Sequence, residues 1–350
     1  MQGLLSQLPH PFFVLAPMDD VTDSAFRRVI ASCAAPDLFF TEFVNVDGLQ
    51  SPGRPKLAKK IKVVADEERP IIAQLWGKNP DNFRKTTIEL VEAGFAGIDL
   101  NMGCPAKSEV ANGTCSALIN NRPLAHEIIE AVKAGVAEAA SKSGKEAVPV
   151  SVKTRLGFNE IDLTWHEFLL EHNVDMLTVH GRTRKEMSKV PAHWDEIGKV
   201  RQLRDEMLAD GRLTLNTLIV GNGDVENRAH GTLLANTYGL DGIMIGRGLF
   251  HDPFAFAATS PWPTIGREER IELFARHIRL FEGTWRIVGE TNADGTPRYE
   301  RAIITLNKFC KIYINGFDGA KELREQLMEA GSTVELLSIL SQAKTIQPIL

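Results

Sequence analysis

Gly97-Ile98-Asp99-Leu100-Asn101-Met102-Gly103-Cys104-Pro105 runs a buried-strand signal straight into a tight turn. The apolar run with one carboxylate reads as a strand entering the interior, and Gly103 and Pro105 make the chain turn there. A cysteine at the tip of that turn stands at a strand end, where a side chain can meet a ligand. Cys104 reads equally as a small buried hydrophobe, the usual state of a free cysteine. Seven similar β-type runs flank this one, at residues 12–16, 38–41, 71–75, 148–153, 176–180, 218–220 and 242–245. Most lead through a polar or glycine-bearing turn into a helical pattern, clearest at 23–34, 80–93, 123–141 and 163–171. Eight strand–helix units over about 250 residues predict an α/β fold, a (β/α)8 TIM barrel. Near-continuous apolar strands suit a parallel sheet covered on both faces. A doubly wound open sheet would carry a glycine fingerprint after its first strand, and here that strand ends in Ala16-Pro17-Met18.

At Ser260-Pro261-Trp262-Pro263 the character changes. The barrel is expected to occupy residues 1–260, and a small all-α domain residues 261–350, with helices at 267–288, 297–315, 320–329 and 332–343. The 350-residue chain is 43% hydrophobic and 24% charged with a net charge of −5, so any nucleic-acid contact must use a local basic patch. Cys33, Cys104, Cys115 and Cys310 form no CxxC pair, which argues against a disulfide framework or a zinc site and fits a reducing cytoplasm. No run of about eighteen apolar residues predicts a membrane span. No metal-ligand cluster is expected. The chain is expected to act as a cytoplasmic monomer.

Barrel active sites lie at the carboxyl ends of the strands. The residues there include Met18, Asp19, Gln74, Asn101, Cys104, Lys153, Arg155, His180, Arg182, Asn222 and Arg247. The clearest signal is in the last two loops, Gly221-Asn222-Gly223-Asp224 and Gly246-Arg247-Gly248. Glycines let backbone N–H groups approach an oxyanion, and barrels often bind a phosphate at these loops, where Arg247 adds a cationic fork. A phosphate there, with Lys153 and Gln74 at other strand ends, points to a phosphorylated cofactor such as FMN. Lys153 also reads as a barrel-mouth ion-pair partner or an aldolase-type Schiff-base lysine, and His180 as a structural histidine.

Six motifs in order then resemble the tRNA-dihydrouridine synthase family. They are Leu15-Ala16-Pro17-Met18-Asp19-Asp20-Val21-Thr22-Asp23, the Asp99–Pro105 stretch, Val152-Lys153-Thr154-Arg155-Leu156-Gly157, His180-Gly181-Arg182-Thr183-Arg184, Asn222-Gly223-Asp224 and Met244-Ile245-Gly246-Arg247-Gly248. The resemblance implies a flavoenzyme in which FMN, re-reduced by NADPH, saturates the C5–C6 bond of a uridine in tRNA. It places Pro17, Met18, Asp19, Gln74, Lys153 and His180 on the flavin, and Asn222, Gly223, Asp224, Gly246 and Arg247 at its phosphate end. Cys104 becomes the proton donor and Asn101 and Arg155 the uracil contacts, and Arg182 is expected as a further substrate-binding residue. The Cys104-Pro105-Ala106-Lys107 context leans toward the bacterial C-type subfamily, which acts in the D-loop. Competing readings are a dihydroorotate-dehydrogenase-like barrel acting on a free pyrimidine, a Lys153 aldolase, and a non-catalytic tRNA-binding module. In the tail, cations and carboxylates balance, except from Arg298 to Lys311, where helical spacing would place Arg301, Lys308 and Lys311 on one face as a phosphate track.

Overall fold

The computed structural model describes residues 3–293 and 295–345. Its strands are β1 (Phe12–Leu15), β2 (Phe39–Phe40), β3 (Val44–Asn45), β4 (Ile71–Trp76), β5 (Gly97–Met102), β6 (Val150–Arg155), β7 (Met176–His180), β8 (Leu218–Asn222), β9 (Gly242–Ile245), β10 (Arg286–Thr291) and β11 (Pro297–Tyr299). Parallel pairing runs β1-β9-β8-β7-β6-β5-β4-β2, and a bridge between Val14 and Leu38 closes the ring. This is the eight-stave TIM barrel. The second stave is broken. β2 and β3 both pair with β4, and Thr41, Glu42 and Phe43 bulge between them.

Two apolar layers follow from strand alternation. The inward layer joins Phe12, Val14, Leu38, Phe40, Ile72, Met176, Leu218, Val220 and Met244, and Leu5, with Leu4 and Leu8 against it, plugs the amino-terminal end. The outward faces pack against the helices. That outer cluster continues unbroken into the tail, through Phe26 stacked on Phe309 at 5.2 Å between ring centroids. The helix Arg267–Trp285 lies along the barrel helix Ser24–Ala34, and its last residue, Trp285, donates its indole N–H to buried Asp23 at 3.1 Å.

Helices dominate the tail, with one departure from the expected pattern. The helix expected to 288 stops at Trp285, and the one expected over 297–315 is reduced to a 3-10 turn, Ile303–Leu306, and the helix Asn307–Tyr313. Between them β10 and β11 form an exposed antiparallel hairpin. The β-branched pair Ile287-Val288 favours a strand, left-handed Gly289 gives its irregular register, and Pro297 cannot supply the N–H of a helix interior. Among the described residues, no helix is long and apolar enough to cross a membrane.

Candidate active site

The parallel register sets the site. Asn101 lies opposite Lys153, Arg155 opposite His180, and His180 opposite Asn222, so four polar strand ends share one rim. Period-two alternation turns Asp99 and Asn101 on β5 and Ser151, Lys153 and Arg155 on β6 to the same side. Lys153 donates to Asn222 Oδ1 at 3.1 Å, and Asn222 Nδ2 is anchored on the Met244 carbonyl at 2.9 Å. Burial and nearby Arg155 push the Lys153 ammonium down to about 8.

Below the rim, Asp99 accepts from Gln74 Nε2 at 2.7 Å and from Ser151 Oγ at 2.5 Å. Its carboxyl is pushed up to about 6 by burial. Asp99 carried no role in the sequence reading, although its place two residues before Asn101 puts it on the same face of β5. Gln74 Oε1 accepts from Asn101 Nδ2 at 3.0 Å, and Asn101 Oδ1 accepts the Gly103 and Cys104 N–H groups at 3.1 and 3.0 Å. Asn101 therefore builds the turn that presents Cys104. Arg155 braces the same turn, donating from Nε to the Gly103 carbonyl at 2.8 Å and from Nη1 to the Thr183 and Met187 carbonyls, both at 3.0 Å. Gly103 lets the turn pack closely, since a Cβ there would sit 3.1 Å from the Thr154 backbone and force a shift of a few tenths of an ångström.

Cys104 is half-buried, and its interaction with the neighbouring Cys115 thiol holds it down at about 7. The same contact, with burial, drives Cys115 upward. Cys104 borders a cavity of about 170 Å³ with Pro17, Phe43, Gln74, Asn101, Lys153 and Arg155. A second cavity, of about 200 Å³, adjoins it across Pro17, Lys153 and Arg155 and is lined by Met18, His180, Asn222, Gly223, Gly246 and Arg247. The two make one trough across the barrel mouth.

At the glycine end, Asp224 accepts from Arg247 Nη2 at 3.0 Å and the Ala192 N–H at 3.0 Å, and also pairs with Arg182. Gly223 adopts φ 129°, and a Cβ there would lie 2.8 Å from that of Ala192. His180 is kept well below its usual range by burial and by Arg155, Lys153, Arg182 and Arg247, so the ring is neutral. Its Nδ1 is buried with no partner, which leaves a polar atom for a ligand. An unmatched ring nitrogen, a glycine cradle and a surplus of cations fit a planar, phosphate-bearing cofactor such as FMN.

Three expected placements need correcting. Asp19 turns away from the trough, because its carboxylate pairs with Lys60. Asp224 lines the trough beside Gly223, with its carboxylate clamping Arg182 and Arg247. Arg182 is buried, with Nε on the Val190 carbonyl at 2.5 Å, and makes no wall of the trough. Arg301 lies outside any helix and is 3% exposed, with Nη2 bonded to Glu42, Nη1 3.5 Å from Asp20 and Nε 3.7 Å from Asp23. It cannot join a surface track with Lys308 and Lys311, because it fastens the tail to the broken second stave. Lys308 and Lys311 are exposed on the short helix, and Lys308 reaches the Asp20 carbonyl.

A closed parallel barrel with a cationic, glycine-lined trough and a thiol at its edge has the layout of a barrel enzyme, with a lining that suits an anionic ligand. The chain belongs to the dihydrouridine synthase family, whose model matches residues 14–347. It is similar to a probable tRNA-dihydrouridine synthase of Staphylococcus aureus (strain COL), 42% identical over 347 residues, covering 97% of this chain and 95% of that one. A probable tRNA-dihydrouridine synthase 2 of Bacillus subtilis (strain 168) is 42% identical over 337 residues, covering 95% and 94%.

Proposed function

We propose that the protein reduces the C5–C6 bond of a D-loop uridine in tRNA. The carrying observation is that the two cavities are one trough sharing Pro17, Lys153 and Arg155, with Cys104 at one end and the glycine cradle at the other. FMN bound there and re-reduced by NADPH supplies the hydride for C6 of the uracil. Gly223, Gly246 and Arg247 would hold its phosphate, and Lys153, His180 and Gln74 its ring system.

The remaining work falls to the protein's own groups. Saturation at C6 leaves enolate charge over C5 and the C4 carbonyl of the uracil, and Arg155 at the trough wall stabilises that charge. The Cys104 thiol delivers the proton to C5. Asn101 keeps the thiol in place through its two backbone bonds. The target base must leave its stack to reach the trough. A cleft between the barrel residues Phe250 and His251 and the tail residues Lys308, Lys311 and Arg324 is the proposed track for tRNA phosphates.

Purified protein should be yellow and form dihydrouridine in unmodified tRNA when given NADPH. Cys104→Ala should keep flavin and tRNA binding and lose most of the product. Full product yield from that variant would remove Cys104 from the proposed role.

A further inference from the structure

The mechanism proposed above leaves Cys115 without a task, yet the fold places it with care. It opens the 3-10 helix Cys115–Asn120, is completely buried, and adopts φ 54°, left-handed backbone that a side-chain-bearing residue takes at a cost of about 1 kcal/mol or more. The neighbouring bonds explain how the position is held. Ser116 returns to the Cys104 carbonyl twice, from Oγ at 2.8 Å and from its N–H at 3.4 Å. Thr114 bonds the Glu109 carbonyl through both its hydroxyl, at 2.8 Å, and its N–H, at 3.0 Å. The chain at 115–116 thus runs along Cys104 and sets the two thiols close enough to interact.

We propose that Cys104 and Cys115 form a reversible disulfide that switches off proton delivery at the active site. The inference rests on Cys104 being the acid of the proposed reaction. The pair is asymmetric in the way such switches need: the half-exposed member is the more acidic and attacks, and its buried neighbour resolves. With hydrogen peroxide as oxidant, the Cys104 thiolate attacks one peroxide oxygen and the O–O bond breaks. The released hydroxide takes up a proton and leaves as water, giving a sulfenic acid on Cys104. The Cys115 sulfur then attacks that sulfur, the S–S bond forms, the S–O bond breaks, and the oxygen leaves as a second water. Both sulfurs are oxidised and both peroxide oxygens reduced. A dithiol restores the pair by exchange. Cys310 is buried and Cys33 partly so, and burial pushes both thiols up to about 12, so they serve as unreactive internal references.

The test uses the full protein with its flavin. After mild peroxide treatment, mass spectrometry should show a loss of two hydrogens mapped to a 104–115 cross-linked peptide. Dihydrouridine formation should fall to the level of Cys104→Ala and return with dithiothreitol. Cys115→Ser under the same treatment should show no cross-link, and its Cys104 should add oxygen atoms that dithiothreitol does not remove. Absence of the cross-link while Cys104→Ala is inactive overturns the switch and leaves the catalytic reading standing. A complete cross-link with undiminished activity overturns both.

Discussion

Replacing Arg301 by methionine removes the cation at the junction of barrel and tail. Its guanidinium bonds Glu42, which is fully buried, stands 3.7 Å from Asp23, and covers the Trp285 ring at 4.7 Å. Burial pushes both carboxyls up, Glu42 to about 7, and Arg301 is the foremost opposing influence on each. Methionine keeps the bulk against Trp285 and deletes only the charge, so the cost is that of a buried carboxylate without its partner. Removing one member of such a pair costs about 3–5 kcal/mol. Lys60, 4.0 Å from Glu42, compensates in part and favours the lower end of that range. With an unfolding entropy of about 2.1 cal/mol/K per residue over 350 residues, a loss of about 3 kcal/mol lowers the melting midpoint by about 4 °C.

The pH dependence has a definite sign. Glu42 binds its proton more tightly folded than unfolded, so its contribution to stability is fully present below the unfolded value and is lost as pH rises through the folded one. Without Arg301 the folded value rises further, so the deficit is smaller at about pH 5 than at about pH 8. Thermal and urea denaturation at both pH values measure this, and Glu42→Gln in the methionine background should recover part of the loss. A deficit under about 1 kcal/mol, or one independent of pH, would refute the assignment of Arg301 as a buried clamp.

Other perturbations separate the parts of the site. The proton-bearing form of Cys104 is depleted as pH rises through about 7, so single-turnover dihydrouridine formation should decline above that point; Cys115→Ala should carry the decline to higher pH, and an unmoved limb would disconnect the two thiols. Gly223→Val forces a β-branched residue into φ 129° against Ala192, and flavin content should fall with about 1–3 kcal/mol of added strain; normal flavin loading would contradict the cradle. Asn101→Ala should retain flavin and lose product, because the turn holding Cys104 loses both of its anchors. Lys308→Glu with Lys311→Glu should weaken tRNA binding and reduce the salt slope by about 2, leaving the flavin spectrum intact; an unchanged slope would move the track elsewhere.

The barrel was legible because each stave is a short apolar run closed by a turn signal, and burial on both faces leaves little else such a run can be. The rim was legible for the same reason: Gly246-Arg247-Gly248 and Gly221-Asn222-Gly223 mark their strand ends locally. Pairings across long separations were not. Arg301 meets Glu42 259 residues away, and nothing in the local pattern separates a buried clamp from a solvent-facing cation. The helix Trp194–Ala209 carries no clear apolar stripe, because Gly198 and Arg204 share its buried side with Ile197, Val200 and Met207. The hairpin at 286–299 was hidden because the helical pattern of the preceding segment runs on to Val288, and only the pairing of Arg286 with Tyr299 shows that the chain turns back. Asp99 was concealed by its setting, since a lone carboxylate inside an apolar strand acquires meaning only when Ser151 and Gln74 close around it.

The leucine plug beneath the barrel has a kinetic consequence. With Leu4, Leu5 and Leu8 packed against the inner layer at the far end, the trough among the described residues opens through the barrel mouth. In the proposed reaction, the nicotinamide that recharges the site and the nucleoside that discharges it must pass through that doorway in turn. Steady-state rates measured against both should therefore give parallel double-reciprocal lines, the signature of two visitors that never meet.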